Sequence, residues 1–135
     1  MLRPRFRALP HTADVRLAVW GDDRAELLRN AVAGAVRLAL GRAPRRGAIR
    51  HAVVPGPAGP LDGQLVRAVN EALHQLYARR AAAVGLVLRA GRIVLELSPL
   101  PPGRLPELEI KAATFHALRP RRRDGRLSAV LTLDL

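Results

Sequence analysis

Cysteine is absent from the 135 residues, which excludes disulfides, thiolate-held zinc or iron–sulfur centres and thiol catalysis. Aromatic residues are nearly absent. Phe6, Trp20, Tyr77 and Phe115 are the whole set, too few and too scattered for a platform on which successive bases stack. Long apolar runs are missing as well, since Arg, Asp or Glu interrupts each one well short of the ~18 residues a membrane helix needs. The opening Met1-Leu2-Arg3-Pro4-Arg5-Phe6-Arg7 is basic but has no apolar stretch behind it, so secretion is not expected and a cytoplasmic, non-membrane protein is. Serine occurs only at Ser98 and Ser128, neither in a GxSxG elbow. No GxxxxGK[ST], GxGxxG or HExxH motif occurs, and His11, His51, His74 and His116 show no ligand-type spacing.

The length fits one domain, spanning 1–135, with 49% apolar residues to fill a single core. Charge is lopsided: 23 basic residues against 11 acidic give +12, and Lys111 is the sole lysine. An arginine excess spread through every segment is a solvated coat, and it implies weak, non-specific and salt-sensitive affinity for RNA. The densest run, Arg119 to Arg126 around Asp124-Gly125, is expected to be an exposed loop.

Asp14 to Trp20 begins with the alternation of a half-buried strand. Asp23 with Glu26 forms a capping box, and Leu27, Leu28, Ala31, Val32, Ala35, Val36 and Ala39 follow at helical spacing until Gly41 stops the helix. A short strand is expected at Ile49–Val54. Asp62 is expected to cap a second helix with Leu65, Val66, Val69, Leu73, Leu76 and Tyr77 inward. Gly85–Arg89 and Arg92–Leu97 flank Ala90-Gly91, a hairpin signal. Four prolines make Ser98–Pro106 a loop, and Leu108–Leu118 and Leu127–Leu133 read as further strands. These elements predict an α+β fold, with two helices packed on one face of a largely antiparallel sheet.

Three segments carry residues unusual for their setting. His11-Thr12-Ala13-Asp14 places polar groups where a strand begins. In Glu109 to His116, period-two alternation would put Glu109, Lys111 and Phe115 on one side and Ile110, Thr114 and His116 on the other. The third is the apolar strand ending in Leu133-Asp134-Leu135. Were Leu118 paired with Leu127, Lys111 would oppose Asp134 across the ladder.

Together with Trp20-Gly21-Asp22 and Asn70-Glu71, these blocks make the chain resemble the archease family over about 11–40, 64–76 and 107–135. The sequence departs from the family pattern at Pro10, Arg16 and Ser98-Pro99-Leu100. The resemblance implies a non-enzymatic activator of an RtcB-type, tRNA-splicing RNA ligase that promotes guanylylation and multiple turnover. It also implies a divalent metal held by Asp14, Asp134 and the main-chain carboxylate of Leu135. His11, Glu109, Lys111 and His116 would support those ligands or touch the partner. An all-oxygen set selects Ca²⁺, with Mg²⁺ or Mn²⁺ as alternatives. Two other functions fit the composition: a basic RNA-binding module without a ligase partner, and a carboxylate-metal hydrolase.

Overall fold

The computed structural model describes residues 5–9, 14–56, 59–114 and 120–135. Eight strands and two helices follow in the order β1 (Phe6–Leu9), β2 (Asp14–Gly21), α1 (Arg24–Leu40), β3 (Arg50–Val53), α2 (Leu61–Arg79), β4 (Ala81–Arg89), β5 (Arg92–Pro99), β6 (Ala112–Thr114), β7 (Arg121–Arg123) and β8 (Arg126–Asp134). All pairings are antiparallel. The α+β reading therefore holds, but the strands divide into two sheets. One runs β1-β2-β8-β6 with β7 also on β8, and the other runs β3-β5-β4. Both helices pack on each other and on strands of both sheets. No helix among the described residues is long and apolar enough to cross a membrane.

Local signals fix α1. Asp23 is its N-cap, accepting from the Glu26 amide at 2.8 Å, and Gly41 closes it in the left-handed region at φ 81°. Its inward stripe, Leu27, Leu28, Ala31, Val32, Ala35, Val36 and Ala39, is buried as the spacing predicts. The start of α2 departs from expectation. Pro60, already at φ −57°, holds the cap position without a side-chain bond, so the helix begins one residue before Asp62. Asp62 lies in the first turn, where its charge suits the helix dipole, and accepts from the Gly63 amide at 2.8 Å.

The strands depart from expectation as well. β1 pairs with β2 and lies in a segment read only as a basic N-terminus. β4 starts four residues before Gly85, because burial of Ala81, Ala82 and Ala83 overrides alanine's weak strand preference. β5 runs on to Pro99, its last residue, with Ser98 buried and accepting from the Gly47 amide at 2.8 Å. The arginine run is a hairpin rather than a loop. Asp124 (φ 53°) and Gly125 (φ 74°) both take the left-handed conformation that a tight two-residue turn requires, and β7 pairs with β8 right up to them. Arg121–Arg123 are nonetheless exposed, as expected of that run.

Candidate metal centre and its surroundings

β2 and β8 pair without a register break from Asp14↔Asp134 to Gly21↔Leu127. The buried apolar residues of both strands share one phase, Leu17 and Val19 on β2 and Leu127, Ala129, Leu131 and Leu133 on β8, while Thr132, 3% exposed, is buried in the other. The alternate phase faces away from the helices, and both aspartates belong to it. Asp14 and Asp134 are thus direct cross-strand partners on the face turned away from the helices, where directly opposed pairs have Cβ atoms about 5 Å apart. Both residues are half-buried, and Asp14 Oδ1 is shielded from solvent. On the other side of Asp134 stands Ala112 of β6, whose methyl group leaves room above the carboxylate. One step along the same face lie Arg16, Thr132 and Thr114.

Two carboxylates placed directly opposite repel, and a cation between them removes the repulsion. Their oxygens are the donors that hard divalent ions prefer. Among the described residues no group of three His, Cys, Asp or Glu gathers for a metal. Leu135 follows Asp134 and is 38% exposed. The carboxylate pair fits a hard divalent ion with coordination positions left open.

Two polar side chains of α2 hold the strand beside Asp134. Asn70 Nδ2 donates to the Ala113 carbonyl at 3.2 Å, and the Ala113 amide donates to Asn70 Oδ1 at 2.7 Å. The carboxamide thus stands in for a neighbouring strand on the free edge of β6. Tyr77 donates its hydroxyl proton to the Leu108 carbonyl at 2.7 Å and accepts from the Ile110 amide at 2.8 Å. Burial raises the Tyr77 pKa above its ordinary value; the Ile110 hydrogen bond opposes that shift, and the charge of Glu109 adds to it. Glu107 and Leu108 amides both donate to the Ala39 carbonyl, at 2.7 and 3.1 Å.

These clamps explain why the expected strand Leu108–Leu118 starts late; its residues 115–118 lie outside the described residues. Held to Ala39 and Tyr77, residues 107–110 follow the helices, and pairing begins only at Ala112. Ile110 is buried, while Glu109 and Lys111 are exposed. The register pairs Ala112, not Lys111, with Asp134, one residue away from the expected alignment. Lys111 meets Asp134 only through the main chain, its amide donating to the Asp134 carbonyl at 2.7 Å. His11 and His116 lie outside the described residues. The sequence reading named both aspartates but not their opposition, and it gave Asn70 and Tyr77 no role at the site. A polar residue bordering an apolar helical stripe was the available signal for Asn70.

Comparison with known proteins follows this geometry. The family described as Archease protein family (MTH1598/TM1083) matches residues 6–135. The fold is similar to the crystal structure of a Thermotoga maritima protein described as an archease and possible chaperone, with TM-score 0.74 and 20% identity, covering 100% of this chain and 98% of that one. It is also similar to the solution structure of protein 1598 of Methanobacterium thermoautotrophicum, with TM-score 0.72 and 19% identity, covering 98% and 100%. No curated protein matches the sequence. With the family match spanning β1 to the end of β8, the chain belongs to the archease family.

Proposed function

We propose that this chain is a non-enzymatic, metal-binding activator of an RtcB-type RNA ligase, and that Asp14 and Asp134 are its working residues. The observation that carries the reading is the β2–β8 register, which sets two carboxylates directly opposite each other on one face of a sheet. Asp14 and Asp134 hold the divalent ion, Ca²⁺ foremost, with a main-chain oxygen of Leu135 beside them. The bound ion supplies positive charge with open positions for a partner's groups. Asn70 and Tyr77 position the strand that flanks Asp134, while Glu109 and Lys111 stand exposed nearby for contact with the ligase.

The test has two arms. Calorimetric titration of Ca²⁺ or Mn²⁺ should show binding to the native chain and a loss of at least about tenfold in Asp14→Asn and Asp134→Asn. In a ligation assay, the native chain should restore guanylylation and repeated turnover to a stalled RtcB-type ligase, and the two variants should not. RNA incubated with the chain alone should stay intact; cleavage would mean a carboxylate-metal hydrolase instead. Full activation by both variants would reject the assignment of Asp14 and Asp134.

A further inference from the structure

We propose that the face of the five-stranded sheet turned away from the helices, around Trp20, binds a single-stranded polynucleotide. Arg16, Arg121 and Arg126 take its phosphates, and Trp20 takes a base. An open cavity of about 390 Å³ lies there, lined by Arg16, Ala18, Trp20, Arg121, Arg126 and Ser128 among others, with no acid among its lining residues. The ladder builds it. Trp20 pairs with Ser128, Ser128 also pairs with Arg121, and Ala18 pairs with Val130. Small side chains therefore form the floor, and arginines with one indole form the rim.

Trp20 is the sole tryptophan and occupies the open-face phase of β2 rather than the core phase of Leu17 and Val19. The Arg126 guanidinium carbon lies 5.6 Å from its ring centroid. A base can lie on the guanidinium plane or replace it on the indole, and both surfaces are ones that unpaired bases use. Three arginine forks in one trough suit phosphate oxygens. An acidic peptide would match the charge but has no use for the indole, so the polynucleotide is the better occupant. By contrast, Arg42, Arg45 and Arg104 share a cavity with Glu107 and two prolines and no aromatic, and of the arginines around Phe6, Arg5 is paired with Asp22 and Glu26 and Arg46 with Glu96. The inference goes beyond ligase activation and is independent of it.

Trp20 fluorescence reports this face alone. A short oligouridylate is titrated into the full chain with EDTA present, so that cation binding plays no part, and affinity is followed by fluorescence and anisotropy across a salt series. Quenching of Trp20 is expected. The triple variant R16Q/R121Q/R126Q should bind at least about tenfold more weakly, with a salt slope reduced by roughly 2, since each single-strand phosphate contact contributes about 0.7. The exposed pair R121Q/R126Q should show most of that loss. The control R42Q/R45Q/R92Q removes the same charge elsewhere and should change little. The proposal is overturned by equal loss in the control, by unchanged Trp20 emission at saturation, or by polyglutamate binding as tightly as RNA, which would mark an acidic-protein surface.

Discussion

Glu96 of the three-stranded sheet and Asp134 of the five-stranded sheet are both partly buried acids on an inner strand, each between two cross-strand neighbours, and the neighbours differ. In the three-stranded sheet, Glu96 stands between His51 and Gly85. Its carboxylate has Arg46 at 3.7 Å and His51 Nε2 at 4.0 Å, and a Cβ on Gly85 would collide with it. In the five-stranded sheet, Asp134 stands between Asp14 and Ala112. Both acids have a small residue on one side, which gives the carboxylate room. On the other side Glu96 meets His51, with the Arg46 guanidinium also near, whereas Asp134 meets a second acid. The first arrangement sets an acid beside groups that can carry positive charge; the second sets like charges side by side, the kind of pair a divalent cation bridges.

The largest effect that could break this contrast is cation-dependent stability. Ligand at 100-fold its dissociation constant stabilises the form that binds it by about 2.7 kcal/mol. Thermal unfolding of the native chain with and without saturating Ca²⁺ should show a gain of that order. Asp134→Asn should lose the gain, and Glu96→Gln should keep it. Equal loss in both would mean that the cation does not sit at the aspartate pair.

Next in size is the strap along β6. Asn70→Ala removes both hydrogen bonds to Ala113 and leaves that amide and carbonyl without the carboxamide. At about 1 kcal/mol per bond, plus a desolvation penalty, the loss should be about 2–3 kcal/mol in urea unfolding. Cation affinity should fall with it, because β6 flanks Asp134. Undiminished stability would show that β6 is held by β8 alone.

What the sequence discloses about this contrast follows the range of the interactions. Asp23, Glu26 and Gly41 mark α1 within a few residues of its ends, and Ala90-Gly91 marks the β4–β5 turn. Alternation places Asp14 and Asp134 in the solvent phase of their strands. Their opposition depends on pairing β2 with β8, from opposite ends of the chain, and no local pattern encodes that pairing. β1 is similar: Phe6–Leu9 is short and basic, and it is a strand only because β2 lies beside it and Phe6 packs on α1 at Gly34. The one-residue error at Lys111 has the same origin. Ile110, Tyr77 and Ala39 set where β6 begins, and two of those three lie on the helices.

A smaller effect is expected at Tyr77, and it depends on pH. Its raised pKa means that the folded chain holds the phenolic proton to higher pH than the unfolded chain does. The stability from this difference is fully present below about pH 10 and is lost as pH rises through the folded value. Tyr77→Phe should cost about 1–2 kcal/mol at neutral pH through its two lost hydrogen bonds. The variant should also lose less stability than the native chain between neutral and strongly alkaline pH. Parallel stability curves for the two proteins would show that the hydroxyl does not titrate with unfolding.

The smallest expected effect is the sharpest, because it turns on sign. Like charges directly opposed in a ladder destabilise by about 0.2–1 kcal/mol. In EDTA, Asp134→Asn keeps the side chain's size and leaves the main-chain bond from Lys111 untouched, so it should raise stability by that amount. Glu96→Gln removes an acid from the Arg46 guanidinium and from His51, both more than half exposed at 57% and 52%. Exposed pairs contribute little, so this variant should lower stability by less than about 1 kcal/mol. Added Ca²⁺ should then reverse the order for Asp134→Asn, leaving it less stable than the native chain, and should leave the Glu96→Gln difference unchanged. Urea midpoints of the three proteins, with EDTA and with Ca²⁺, measure both signs in one series. If Asp134→Asn destabilises the chain in EDTA, the aspartate pair is not a site of stored repulsion, and the contrast between the two sheets fails.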